Sequence, residues 1–317
     1  MKNIETAFNT IASKIDAYKE KNQKLFLESY TNVLWEIIEE KDAIQEIENM
    51  NHTPQEWRNI LQLVLLKGLR EEGVQQNHQL TPDGIGFLFA FILETLHPSY
   101  QNLKLFDNAV GMGNLLFTVQ QSLSLNRENI SSLGIDVDES LIEVAEATAQ
   151  FLNLPSETYV LDGLSPIENF EADIALSEPA VGFYPDDTRA ALFSSHDKDE
   201  HTYAHHLLIE AAMKQVKRNS FGLFLLPSNF LSSPQSGNMK TFLSREVYLQ
   251  GVFQLPTSLF KDKASEKSLF LLQKHGENAQ QQQVLAYPIK SLKDINELEK
   301  FTKIFKEWAQ SFAQKGE

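Results

Sequence analysis

Leu105-Phe106-Asp107-Asn108-Ala109-Val110-Gly111-Met112-Gly113-Asn114 carries a short apolar strand into a turn with two glycines and on into a helix. Glycine lets backbone approach a ligand closely, and the amides at the following helix start attract a carboxylate or phosphate. A ligand-free turn would use the same glycines, so the stretch gains meaning only from its surroundings.

Downstream, short apolar runs alternate with helical segments. Leu103 to Phe106, Ser132 to Ile135, Thr158 to Leu161, Asp173 to Leu176 and Phe221 to Leu226 read as strands, and such alternation means βαβ units with a parallel sheet. Leu249 to Leu255 and Ser268 to Gln273 read as an antiparallel hairpin joined by a polar, lysine-rich loop. Leu292 to Gln314 is helical again, and Gln280 to Gln283 is a loop.

Upstream the pattern is helical throughout. Ile4, Phe8, Ile11, Ile15 and Tyr18 recur at helical spacing, as do Tyr30, Leu34, Ile37 and Ile38. Thr53-Pro54-Gln55-Glu56 marks a helix start, with Thr53 capping, Pro54 at the first helical position and Glu56 reaching back to the cap amide; Gly73 ends that helix. Thr81-Pro82-Asp83 opens another, with Ile85, Leu88, Ile92 and Leu96 on its apolar face and its end near His97-Pro98. The expected organisation is a helical N-terminal domain over 1–75 and an α/β domain over 76–317.

Composition narrows the partners. With 42% hydrophobic and 22% charged residues the chain is that of a folded globular protein. The first residues carry charges throughout and no run reaches ~18 apolar residues, so neither a secretory signal nor a membrane span is expected. The absence of cysteine excludes disulfides and thiolate metal sites and fits a cytoplasmic location. A formal charge of −15, from 28 basic and 43 acidic residues, opposes general attraction to nucleic acid. Two basic clusters, Lys214, Lys217 and Arg218, and Lys261, Lys263 and Lys267, read as solvated faces.

Three acids fall at the ends of three successive strands: Asp107, Asp136 and Asp162. Open α/β sheets bind ligands at that edge, and Asp136 lies 23 residues beyond Gly113, close to the ~20-residue offset at which an acid meets ribose hydroxyls. A dinucleotide fingerprint wants a third glycine where Leu116 stands, which disfavours NAD. A nucleoside bearing an amino-acid tail and no phosphate suits the pattern better. His196, His201, His205 and His206 crowd one segment; His201 and His205 have the spacing of a metal pair, but with no third ligand in sight they read as polar residues beside a cleft, and no metal is expected. Ser228-Asn229-Phe230 reads equally as cleft lining or as a turn.

From about Gln79 to Lys274 the chain resembles the adenine-specific DNA methyltransferases akin to modification subunits of type I restriction systems. The likeness rests on the Thr81-Pro82 helix, Asp107 through Gly113 in place of the family's Asp-Pro-Ala-Cys-Gly-Ser-Gly, Gly134-Ile135-Asp136, Asp162-Gly163, Phe221 to Asn229 and Gln254 to Phe260. It implies a Rossmann-like class I S-adenosylmethionine-dependent methyltransferase fold. It also implies that Asp107, Gly111 and Gly113, with Ala109 and Asn114, line the methionine end of S-adenosylmethionine, that Asp136 holds the ribose, and that Asp162 accepts from the adenine amine.

The family's catalytic motif, Asn or Asp followed by Pro-Pro and an aromatic, is here Glu178-Pro179-Ala180-Val181. By the resemblance Glu178 and the Pro179 carbonyl would orient an adenine amine toward the methyl group, an arrangement sensitive to displacements of about 1 Å. Glu178 is a methylene longer than Asp, and Val181 offers no ring for a flipped base, a contact worth roughly 1–3 kcal/mol elsewhere. Phe183 and Tyr184 either substitute for it or pack in the core. The implied function is adenine-N6 methylation of DNA, with the helical domain contacting substrate or a partner subunit. The alternative is a cofactor-binding relative that acts on another substrate or as a regulatory binding protein.

Overall fold

The computed structural model describes residues 4–73, 80–97 and 102–313; the expected boundary near residue 75, and Gln79, Pro98 and Gln314, lie outside them. Eight strands form one sheet in the order β3-β2-β1-β4-β5-β7-β6-β8. The first five, β1 (Asn102–Asp107), β2 (Asn129–Asp136), β3 (Ser156–Val160), β4 (Ala172–Ser177) and β5 (Val216–Pro227), run parallel. Strand order reverses between β1 and β4, and that reversal opens a crevice at the carboxyl ends of the strands. β4 is buried along its whole length, as an interior parallel strand must be when both sheet faces are covered.

The expected hairpin is present. β7 (Lys267–Lys274) runs antiparallel between β5 and β6 (Val247–Gln254), and a short strand that the apolar pattern does not reveal, β8 (Leu285–Pro288), pairs parallel to β6 at the edge. One sheet face is covered by α5 (Asp83–Leu96), α6 (Asn114–Ser124) and α11 (Ile295–Ala313), with Phe91 and Phe253 each in ring contact with Phe301 and Phe305. The other face carries α9 (Ala204–Lys214) and α10 (Ser236–Arg245), which bury Ile209, Met213, Met239 and Phe242.

α1 (Ile4–Asn22), α2 (Phe26–Glu39), α3 (Lys41–Asn49) and α4 (Pro54–Glu72) form the helical layer. The capping box at Thr53 is made as the sequence spells it, and Gly73 follows α4 with φ +83°. The layer shares its apolar cluster with α7 (Glu139–Phe151), whose Leu141, Val144 and Ala147 face it while Ile142, Ala145 and Ala149 face the sheet. A helix apolar on both sides is buried on both sides. Met112 of the glycine turn belongs to the same cluster as the helical layer. Tyr30 also meets Thr148 of α7 at 3.0 Å.

A segment between β4 and α9, containing the single turn α8 (Asp187–Ala190), folds back on itself: Phe183 and Tyr203 bridge, and the Tyr184 amide donates to the Thr202 carbonyl at 2.8 Å. Buried Glu210 of α9 accepts the Ser194 and Ser195 amides at 2.9 and 2.8 Å and so pins this segment down. Among the described residues no helix is long and apolar enough to cross a membrane.

Arg58 of α4 makes two parallel bonds of 2.9 Å each to Asp83, the first residue of α5. The side chains are 5% and 19% exposed. Arg58→Ala removes the partner of a largely desolvated carboxylate and is expected to lower stability by about 3 kcal/mol, whereas Arg58→Lys, keeping the charge without the fork, loses less. Urea unfolding with an unchanged slope checks this.

Candidate active site

Four chain segments converge on the crevice at the ends of β1, β2 and β4. β1 ends in Asp107, which is 2% exposed and accepts the Ala109 amide at 3.0 Å. Half-buried Ala109 thus turns the chain away from the strand. Gly111 follows at φ +53° and donates its amide to Asp136 Oδ2 at 2.9 Å, while Asp136 Oδ1 takes the Asp138 amide at 3.1 Å. Gly113, at φ +82°, precedes α6, and a Cβ there would strike the Phe117 ring. Both glycines therefore stand where backbone geometry requires them. Asn114 opens α6 and donates its side-chain amide to the Thr81 carbonyl.

The helix that Thr81-Pro82-Asp83 is expected to open does begin at Asp83. The residue before α5 is Pro82, and no side chain caps that helix. The Thr81 hydroxyl instead donates to Glu178 Oε2. Glu178, just past β4, also holds Lys267 Nζ at 2.5 Å on Oε1, with both partners 25% exposed. Both oxygens of the motif carboxylate thus already have donors, and Pro179 beside it is buried.

Asp162, two residues beyond β3, is similarly occupied. Its Oδ1 accepts the Leu164 amide at 2.8 Å, and its Oδ2 takes the Tyr184 hydroxyl at 2.5 Å and Arg189 Nη1 at 3.0 Å. Tyr184 is therefore a buried residue with a polar partner, its phenol pushed up by burial and by Asp162. Val181 and Phe183 are 59% and 58% exposed. Phe183 stacks on Tyr203, centroids 5.0 Å apart and planes 20° apart, and Tyr203 stacks in turn on His205 at 5.4 Å and 21°.

The remaining histidines separate. His201 lies before α9 and bonds Asp187 at 2.9 Å in solvent, so it shares no helix face with buried His205. Burial lowers His205 to about 4, helped by the nearby Lys267 charge, and lowers His206 to about 3. Ser228 is spent on the neighbouring strand: its amide donates to the Glu266 carbonyl at 2.9 Å, just before β7, and its hydroxyl meets Ser268 of β7 at 2.8 Å.

Sequence reading misses Arg189 and Tyr203, places Lys267 on a solvated face, does not foresee Thr81 as a side-chain donor, and names His205 only as a polar residue beside a cleft. One signal for Lys267 is available. It is the first residue of β7, opposite Pro227 at the carboxyl end of β5, so a returning antiparallel strand delivers it to the ligand edge of the sheet.

The crevice gathers negative charge. Burial pushes the Asp107 carboxyl up to about 7; the Ala109 amide and the Ser177 hydroxyl oppose this, and the charges of Asp136 and Glu178 add to it. Burial raises Asp136 as well. The folded chain therefore keeps a proton on Asp107 that the unfolded chain releases near 3.8. Its stabilising contribution is full below about pH 4 and is lost as pH rises through 7. In Asp107→Asn, urea unfolding across this interval should show a shallower fall in stability than in the wild type.

No family profile matches the chain. The uncharacterized Bacillus subtilis protein YtxK is 34% identical over 252 residues, 78% of this chain and 75% of YtxK. Among solved structures, a Listeria monocytogenes protein described as a class I S-adenosylmethionine-dependent methyltransferase is 28% identical, with TM-score 0.89 over 96% of this chain and 98% of its own. The methyltransferase subunit of a type I restriction-modification system from Streptococcus thermophilus is 16% identical, with TM-score 0.63 over 95% of this chain and 74% of its own, a likeness of fold.

Proposed function

The chain belongs to the same family as Bacillus subtilis YtxK, and we propose that it is an S-adenosylmethionine-dependent methyltransferase with its cofactor lying across the ends of β1 and β2. The observation that carries this reading is the glycine turn at the sheet's reversal point. A Cβ on Gly111 would meet no atom within 4 Å, so the backbone there borders open space, while Asp136 holds its amide from behind. A carboxylate has about four acceptor positions, and Asp136 uses two on amides, which leaves capacity for two ribose hydroxyls. Buried Asp107 suits the cationic amino group of the methionine end. Gly113 and Asn114 shape the same wall.

At the adenine end the fit is tighter. Asp162 already accepts three donors, so an adenine amine would share it with Arg189 and Tyr184. When bound, the cofactor supplies a sulfonium methyl group to a nucleophile. The chain's part is to hold it by the turn and the strand-end acids and to present an acceptor beside Glu178.

Two readings of the acceptor remain. Adenine-N6 in DNA is supported by the motif's position after β4 and by the shared fold with restriction-modification subunits; Glu178 and the Pro179 carbonyl would orient the amine, and Phe183 would stack on the base. An acceptor other than DNA is favoured by a specific observation: Glu178 is engaged by Lys267 and Thr81, so it does not stand ready for a base amine. That second reading is the one the geometry supports best.

Titration calorimetry should register S-adenosylmethionine, and the cofactor at ~100 times its dissociation constant should add roughly 2.7 kcal/mol of stability. Gly111→Ala puts a methyl into open space; it should cost about 1–2 kcal/mol of fold stability from the left-handed backbone and weaken the cofactor at least about tenfold. Absence of both heat and melting shift in the wild type would remove the proposal.

A further inference from the structure

Glu178 holds an alkylammonium. Lys267 Nζ sits 2.5 Å from one oxygen, and the Thr81 hydroxyl occupies the other. At the motif position of a methyltransferase this is the place of the acceptor nitrogen. The chain has filled it with an amine of its own, on a side chain that remains 25% exposed.

Two surrounding features fit the same chemistry. The stack of Phe183, Tyr203 and His205 runs from solvent to the neighbourhood of Lys267. His205, at its inner end, is 4% exposed, and its Nδ1 lacks a hydrogen-bond partner among the described residues. Exposed aromatic faces attract alkylammonium groups. On the same segment a concavity of about 450 Å³ is lined by Asp187, which is bonded to His201, and by Asp197, Asp199 and Glu200, with Lys198 and His196 among them. Asp187 stands four residues after Phe183, Asp197 to Glu200 lie shortly before Tyr203, the residue that Phe183 stacks on, and the protein as a whole carries −15. A DNA duplex would be repelled where a basic chain would be drawn in.

Resting on the methyltransferase reading above, we infer that the acceptor is a basic polypeptide whose side-chain amine displaces Lys267 from Glu178, with the acidic concavity receiving its flanking positive charges. The arriving ammonium releases one proton to water. Its nitrogen lone pair then forms a bond to the methyl carbon as the carbon–sulfur bond breaks, and the electron pair of that bond stays on sulfur. The products are a methylated ammonium and a neutral thioether. Lys267 is, on this account, an internal occupant that keeps the carboxylate neutralised until a substrate takes its place.

The test supplies the full chain with labelled S-adenosylmethionine and, separately, poly-L-lysine and a mixed-sequence DNA duplex at low salt. Label is expected on poly-L-lysine, recovered as Nε-methyl-lysine after hydrolysis, and not on DNA. Lys267→Met, which empties the slot, should label poly-L-lysine faster than wild type. Should that variant fold poorly, the exposed triple change Asp197→Asn, Asp199→Asn and Glu200→Gln keeps the inference testable. It should raise KM for poly-L-lysine about fivefold with a smaller change in kcat, an effect that shrinks as salt screens it. Label on DNA, or cofactor heat without label on poly-L-lysine, overturns the inference and leaves the methyltransferase reading standing. No cofactor heat removes both.

Discussion

A single charge-assisted bond organises the crevice: the carboxylate at the end of β2 holds the amide of Gly111 at 2.9 Å. It ties one strand end to the turn leaving its neighbour, in the gap that the reversal of strand order creates. Left-handed backbone at Gly111 and Gly113 supplies the shape, and Asp136 supplies the restraint. The cost is one buried and one half-buried carboxyl group close together. Asp107 and Asp136 are both raised by burial, so the crevice keeps its acids partly by letting one retain a proton near neutrality.

The helical layer is joined to this crevice rather than appended to it. Met112 of the turn packs into the layer's apolar cluster, and the Arg58–Asp83 pair fixes the start of α5. Two residues before that start, Thr81 uses its carbonyl for Asn114 and its hydroxyl for Glu178. The glycine turn, the motif after β4 and the N-terminal helices therefore meet within one short stretch. A shift of α5 would be felt at both ends of the site, because interiors at native density transmit displacement.

Much of this is written locally, and that part was legible. Strand and helix periods gave the βαβ alternation and the hairpin, the capping box at Thr53 formed as spelled, and the strand-end acids stand at the sheet edge where the ligand rule for such folds puts them. What escaped depends on pairing across sequence distance. Thr81 and Glu178 are separated by 97 residues and Glu178 and Lys267 by 89, so a threonine before a proline reads only as part of a helix start and a lysine in a basic loop reads as solvated. β8 is four residues long with only alternate burial, too short for its period to stand out. The histidine spacing allows a shared helix face, a reading set aside for want of a third ligand, and α9 begins only at Ala204, after His201.

The substitution of Glu for the shorter acid or amide of the resembled motif and the presence of Lys267 are best understood together. Asp107 already feels the negative charges of Asp136 and Glu178. An ionised Glu178 with no cation beside it would sharpen that repulsion in a poorly solvated place, where an unpaired charge is strongly unfavourable. Lys267 offsets it, and the extra methylene of Glu178 gives the carboxylate its reach toward β7 and Thr81. With Glu178 paired, Asp136 and the partly protonated Asp107 are left to set the field at the ends of β1 and β2, which on the reading proposed above suits a ligand carrying a cationic sulfonium and an ammonium. The same field disfavours a phosphate backbone laid across the crevice mouth. On the reading proposed above, charge would select the ligand on one side of the sheet edge and its acceptor on the other, with Lys267 at the boundary between them.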